Sequence, residues 1–341
     1  MEIKQTHRTE PIGKEDSKPV QVNKELDAFD MVKMGKYEEF KRLVEEGHFC
    51  PKSNLDSNGS CVLHWGAGAG RLNFVIYLIE ECKCSANTGQ QGKRSFLGRT
   101  PLHWAARNGH LCVVQYLVTT CKVDINATTA DGTTAFCWAC WQGHLDIMKF
   151  LHDNGCDIHS TNSFGCNAVL WSAQGGGSCE IMSWLFEVGL DFTLINSNGH
   201  SALHKAAQRG SNEVVHWLVN TILCNKSRIA WDMIKPDTEG HCPSDLAQME
   251  QHEQLAQEIS KYECDCIIRL VGDATSVDAL ISSDILPSWL KQALLEAKIH
   301  SSCVQSTGIR RMVSRLIEHI SSQTTSNEAS TKVINNINDI D

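Results

Sequence analysis

No stretch of the chain is apolar for long enough to cross a bilayer; the longest candidates, such as Leu72–Ile79, fall far short of the ~18 residues a span requires. The first twenty residues hold no apolar core of the kind a signal peptide needs, and too many acids for a transit peptide. Positive charge is not in excess either. The net charge is −9, so the basic footprint of a nucleic-acid binder is missing from the chain as a whole. The glycine runs at 66–70 and 175–177 lack the lysine and strand context of a phosphate loop. Together these absences argue against membrane insertion, nucleic-acid binding and phosphate-loop chemistry, and they point to a cytoplasmic or nuclear location. What is present, a 42% hydrophobic content over 341 residues, suffices for a sizeable core.

Sixteen cysteines are scattered through the chain without an export signal. A disulfide framework belongs to small secreted proteins, so these read as reduced thiols packed as small hydrophobes. The one C-x-x-C, Cys137-Trp138-Ala139-Cys140, lacks the second ligand pair of a zinc site and the strand context of a redox motif. No metal and no cofactor are expected.

The informative pattern is periodic. Gly59, Gly98, Gly132, Gly165, Gly199 and Gly240 are spaced by 39, 34, 33, 34 and 41 residues. Eleven residues after the first five stand Gly70, Gly109, Gly143, Gly176 and Gly210, and then come Leu78, Leu117, Leu151, Leu185 and Leu218. The clearest row is Gly98-Arg-Thr-Pro-Leu-His-Trp-Ala-Ala-Arg-Asn-Gly109. Gly98 permits a tight turn, Thr100 can cap a helix whose first residue is Pro101, and Gly109 ends that helix in a left-handed conformation. Leu111, Val114 and Leu117 then form one apolar face of a second helix. The small pairs Gly66/Ala67, Ala105/Ala106, Ala139/Cys140, Ser172/Ala173 and Ala206/Ala207 let first helices approach closely. Each unit is a turn plus two antiparallel helices, too small to bury its own face without neighbours.

Thr100-Pro101-Leu102-His103-Trp104-Ala105 resembles the signature of the ankyrin repeats, with partial matches at Cys61–Gly66 and Ser201–Ala206. Rows three and four depart, with Cys137 and Leu170 in place of the family's histidine. The last row, Cys242–Ala247, looks terminal, with a polar substitution. The resemblance implies an all-α ankyrin solenoid over residues 57–260, preceded by a capping repeat at 23–56 and followed by a helical extension at 261–320. Residues 1–22 and 321–341 are polar and expected to be disordered. Two insertions, Thr88–Leu97 and Thr221–Lys235, are expected in surface loops. The segment Ile285–Leu290 resembles the C-terminal boxes that tie some ankyrin proteins to ubiquitin ligases, although the partner half of such a box is not legible.

The repeat accounts for the histidines. His64, His103 and His204 occupy the family's structural position, and no Ser/His/Asp or paired-carboxylate constellation stands outside it. An enzyme is not expected. The resemblance implies protein binding, by a scaffold or an adaptor, with one or more protein partners and no small-molecule substrate. One alternative is delivery of a bound protein to a catalytic complex through the C-terminal helices; another is a metal- or redox-regulated cysteine protein. Six residues past the turn glycine the rows read Trp65, Trp104, Trp138, Trp171 and Lys205, a register that predicts stacked rings along the array. One helical turn further come Arg107, Trp141, Gln174 and Gln208, where Trp141 is the outlier among polar residues. With Asn108, Gln142 and Arg209 beside them, and Phe96, Asp131, Phe164 and Asn198 at the turn tips, these form the expected partner-binding surface on the concave face.

Overall fold

The computed structural model describes residues 27–92, 97–223, 229–271, 277–282, 286–299 and 308–321. The first helix pair is α1 (Ala28–Met34) and α2 (Tyr37–Glu45). The five rows then give α3 (Val62–Gly68) with α4 (Leu72–Ile76), α5 (Pro101–Arg107) with α6 (Leu111–Gln115), and α7 (Ala135–Gln142) with α8 (Leu145–Asp153). They continue as α9 (Ala168–Gln174) with α10 (Cys179–Glu187), and α11 (Ala202–Arg209) with α12 (Asn212–Leu218). A short α13 (Ile229–Ile234) precedes the last row, α14 (Pro243–Met249) with α15 (Glu253–Val271). After it come α16 (Val277–Ser282), α17 (Ser288–Ile299) and α18, over 308–321. No described helix is long and apolar enough to cross a membrane.

Each row begins with a turn built by its own side chains. Three residues before the turn glycine stand Asp56, Thr129, Asn162, Asn196 and Asp237. Asp56 Oδ1 accepts from the N–H groups of Asn58 and Ser60, and Asn162, Asn196 and Asp237 repeat the same pair of bonds. The turn glycine follows at φ between +71° and +88°. Two residues on, Cys61, Thr100, Thr134, Asn167, Ser201 and Cys242 sit at the helix N-caps. The tips join one another through the backbone: Gln91 N–H donates to the Gly59 carbonyl, Ala130 to Leu97, Ser163 to Asp131, Ser197 to Phe164 and Thr238 to Asn198.

The rows stack through their first helices. The small pairs are all buried, and successive first helices pack on one another more closely than successive second helices do. On the second helices Leu78, Leu117, Leu151, Leu185 and Leu218 are fully buried, each contributing roughly 1.5–3 kcal/mol. Between Leu78 and Cys84, and between Leu117 and Val123, the chain holds one residue more than between Leu151 and Cys156. The extra residue is absorbed by a π-helical turn at Tyr77–Glu81 and at Tyr116–Thr120, followed by Lys83 and Lys122 at positive φ.

The signature histidines staple one row to the next. His103 Nδ1 accepts from the Thr100 backbone N–H at 3.1 Å, and its Nε2–H donates to the Thr133 carbonyl of the following row, also at 3.1 Å. His64 makes the same pair of bonds to Cys61 and Arg99, and His204 to Ser201 and His241. A carbonyl can only accept, so each ring is the neutral Nε2–H tautomer. Burial pushes their pKa values down, to about 4 for His103 and about 3 for His204.

The second insertion departs from the surface loop expected of it. Its described parts are the end of a π-helical turn (Val219–Leu223), with Ile222 buried, and α13, whose Trp231, Met233 and Ile234 are buried and whose Met233 carbonyl accepts from the Ser201 hydroxyl. Those apolar side chains had a core to enter, so the segment became a helix. Trp231 also meets Trp289 of α17, centroid to centroid at 6.4 Å. The last row closes on α18. Ser244 donates from its backbone N–H and its hydroxyl to the buried Glu263, at 2.9 and 2.6 Å. Arg311 of α18 reaches the Ser244 hydroxyl and Asp245 Oδ1, each at 3.1 Å. Asp245 stands where rows one, two and five carry His64, His103 and His204. Its Oδ2 accepts from the N–H groups of Cys242 and Gly308. The sequence reading expects disorder at 1–22 and 321–341; 1–26 and 322–341 lie outside the described residues.

Candidate functional site

The register of Trp65, Trp104, Trp138, Trp171 and Lys205 runs along the first helices. Trp65, Trp104 and Trp171 are half-buried, while Trp138 and Lys205 are 8% and 7% exposed. The rings form two stacks rather than one. Trp65 meets Trp104 edge to face at 5.2 Å. Trp138 meets Trp171 at 6.1 Å, and Trp141 packs beside both, at 5.2 and 5.3 Å. No ring contact joins Trp104 to Trp138 among the described residues. Two cations stand at that break: the guanidinium carbons of Arg99 and Arg107 lie 5.1 and 4.9 Å from the centre of the Trp138 ring. At the far end Lys33 Nζ lies 4.0 Å over Trp65.

Glycines make room for this arrangement. A Cβ on Gly68 would approach Trp104 to 2.6 Å, and one on Gly175 would come within 2.0 Å of the Trp141 ring. The run at 175–177 is thus a place where one row lies against the next, and Gly176 N–H donates to the Trp141 carbonyl. It also explains why Trp141 is half-buried instead of standing in solvent, as its polar register suggests. Between the stacks lies a cavity of about 250 Å³ lined by Arg99, His103, Trp104, Arg107, Asn108 and Trp138. The indole Nε1 atoms of Trp104, Trp138 and Trp171 are buried and have no acceptor among the described residues, whereas Trp65 donates to Asp56 at 2.8 Å.

Of the residues expected from sequence, Arg107 and Trp141 both lie against Trp138. Arg107, Gln142 and Arg209 are exposed, Gln174 is half-buried, and Gln208 is half-buried with its Oε1 unpartnered. Asn108 donates to the Gly68 carbonyl at 2.9 Å, which ties it to the preceding row. At the tips Phe164 is 56% exposed and Asn198 is exposed, while Asp131 is half-buried and accepts from the Thr129 and Thr133 hydroxyls. Phe96 lies outside the described residues. Sequence reasoning passed over Arg99. The signal was available: one residue past the turn glycine the rows read Ser60, Arg99, Thr133, Cys166 and His200, a single arginine in that register.

The remaining chemistry-bearing side chains serve packing. Cys137 and Cys140 are buried, and burial pushes both thiols up; among the described residues no cluster could hold a metal ion. His110 and His144 point back a row, their Nε2–H donating to the carbonyls of Gly68 and Arg107 at the ends of the preceding first helices.

A family model described as ankyrin repeats (3 copies) matches residues 82–162, 136–233 and 168–269, together more than half of the chain. A curated protein of Dictyostelium discoideum, the 26S proteasome non-ATPase regulatory subunit 10, is 38% identical over 69 residues, which is 20% of this chain and 29% of that protein. The chain thus spans under a third of the length of that relative.

Proposed function

The chain belongs to the ankyrin-repeat family, and from that premise we propose that it is a non-catalytic scaffold or adaptor binding a partner protein on the concave, first-helix side of the array. The observation that carries this reading is the tryptophan register: large rings, mostly packed and partly open, carried on successive first helices with Arg107 beside them. Tryptophan and arginine are favoured anchors at protein interfaces. The mechanism is rigid presentation. Rings already held by their neighbours lose little freedom when a partner docks, so the ordering penalty of association stays small. The test is photo-crosslinking from positions on opposite sides of the array. A crosslinking residue at Asn198 or Phe164 is expected to label a protein that one at the outer-helix position Lys149 does not. Equal labelling from both sides contradicts the proposal.

A second reading makes the chain an adaptor that delivers its bound protein to a catalytic complex through the C-terminal helices. It is favoured by a groove of about 930 Å³ between α15 and α18, lined by Lys261, Asp265, Arg310, Arg315 and Glu318 among others. The name of the Dictyostelium relative, a proteasome regulatory subunit, accords with such a role. Arg310→Glu with Arg315→Glu is expected to release the complex while the concave-face partner stays bound; loss of both together speaks against it.

A further inference from the structure

The tryptophan register ends on a lysine, and that lysine lacks what a buried cation ordinarily has. Lys205 of α11 is 7% exposed, yet it makes no ion pair, hydrogen bond or ring contact among the described residues. Lys33, at the other end of the same face, lies over Trp65 and pairs with Asp30. Burial makes the charged form of Lys205 less favourable than usual, and the Cys166 thiol is the one titratable group acting in the opposite sense. That thiol already accepts from Asn196 Nδ2 at 3.4 Å.

Among the described residues no acid neutralises the lysine. Neither α9 nor α11 carries one. On α14, the next first helix, Asp245 is held by Arg311 and by the N–H groups of Cys242 and Gly308. At the intervening turn Asp237 accepts from His200 Nε2 and from the N–H groups of Glu239 and His241. Two neutral acceptors do stand near. Gln208, three residues on, has a buried Oε1 without a donor, and His200, whose charged form Lys205 disfavours, has a buried Nδ1 without a partner. Either offers an ammonium a hydrogen bond but no negative charge, and neither is bonded to it. Packing alone would be served better by an uncharged chain of the same length, such as methionine.

The surface around the lysine is partly open, since Trp171, Gln174 and Gln208 are half-buried and Arg209 is exposed. On α9 and α11 together the charged residues are Lys205 and Arg209, a basic spot on a chain of net charge −9. Resting on the concave-face reading above, we infer that Lys205 is a carboxylate subsite: an aspartate or glutamate side chain of the bound partner segment pairs with its ammonium at the end of the tryptophan face. The carboxylate supplies the charge that the fold omits, and so little exposed a pair is stronger than one in water. Gln208, on the same face of the helix, can turn its amide to add a second donor.

The test uses the full chain and peptides selected on it from a random twelve-residue display library. Each peptide is resynthesised with its Asp or Glu replaced by Asn or Gln, or by phosphoserine. Affinities are read by fluorescence anisotropy, contact sites by crosslinking from Phe164 and Lys149, and stability by thermal melts. Lys205→Met keeps the length of the side chain and removes its charge. It should melt at or above the wild-type temperature, bind the acidic peptides at least tenfold more weakly, and bind their neutral versions as wild type does. Lys205→Arg, which keeps the charge, should retain the acidic preference. A lower melt for Lys205→Met means that the ammonium is paired within the fold, and it overturns the subsite. Peptides that crosslink from Phe164 but lose nothing on neutral replacement, or that bind Lys205→Met as tightly as wild type, overturn it while leaving the concave-face reading in place. Peptides that crosslink only from Lys149 overturn both. Tighter binding of phosphoserine versions, with no preference for Glu over Gln, overturns the assignment in favour of a phosphate.

Discussion

At three of the internal junctions, those after rows one, two and five, the third residue of the first helix is a histidine that donates a hydrogen bond to the next row; at the last junction it is an aspartate that accepts one. His64, His103 and His204 each turn Nε2–H toward a carbonyl of the following turn. Asp245 turns Oδ2 toward the Gly308 N–H and Oδ1 toward the Arg311 guanidinium. The cap bond inside the helix is the same in both cases, since either side chain accepts from the N-cap backbone N–H. What differs is the neighbour. A further row offers a carbonyl, whereas α18 offers donors, so the residue that would mark a failing match to the repeat pattern marks its end. The two junctions differ in function as well: the internal ones carry the tryptophan and arginine face, and the last one carries a buried polar cluster.

The largest expected effect comes from breaking an internal contact. Gly143 lies at φ +77°, and a Cβ there would sit 2.3 Å from the Gly176 carbonyl oxygen. Gly143→Val should therefore destabilise the array by about 3 kcal/mol or more, the sum of a left-handed β-branched residue and overpacking. Thermal and urea melts of the full chain check it. An unchanged melt would mean that rows three and four do not meet as described.

Next in size is the reversal of the last junction. Asp245→His presents a donor, or a protonated ring, to a guanidinium and an N–H group, and it removes the charge that Arg311 pairs with. Release of α18 by about 2–3 kcal/mol is expected. The readout is faster tryptic cleavage after Arg310, Arg311 and Arg315 with little change in the melt of the array.

Acidification should separate the two kinds of junction by sign. A buried histidine held neutral, with its folded pKa below the ordinary ~6.5, contributes stability above that value and loses it as the pH falls toward about 4. Between pH 7 and pH 5, His103 and His204 should each lose about 2 kcal/mol. Glu263 behaves in the opposite way. Burial pushes its carboxyl up to about 7, so its contribution is present below ~4.5 and lost as the pH rises through 7. Burial of the Glu263 carboxyl outweighs the Ser244 bonds that favour its charged form, so this site should become about 2 kcal/mol less unfavourable over the same interval. Hydrogen exchange, corrected for intrinsic rates, should show protection falling in α3, α5 and α11 at pH 5 while it holds or rises in α14 and α15.

The smallest effect is expected at Gly240, which has φ +88° but nothing within 4 Å of an added Cβ. Gly240→Ala should cost about 1 kcal/mol, from the left-handed conformation alone. A loss as large as that at Gly143 would mean that another element covers this turn.

How much of this was legible in the sequence follows from what repeats. Turn glycines, N-caps and buried leucines recur at fixed offsets, so the two-helix unit could be read directly from Gly98 to Leu117. The tryptophan register was legible for the same reason. The break in it was not, because it depends on Arg99, which occurs once and lies next to Trp138 only after rows two and three stack. The burial of Trp141 was hidden too, since it requires the absent side chain of Gly175 in the following row. The insertion at Thr221–Lys235 looked like loop because its apolar residues match no period; α13 packs against α11 and α17 rather than into the array's own rhythm. The reason for Asp245 lies sixty-three residues away, at Gly308.

The division of labour between the two junctions, binding on the internal face and closure at the end, can be tested in one experiment. Hydrogen exchange of the full chain would be compared with and without a saturating peptide selected on the full chain from a random display library. Slower exchange in residues 99–109 and 135–143, with no change in 253–271 and 308–321, is the result this account predicts. Protection confined to α15 and α18, with the tryptophan rows unaffected, would contradict it.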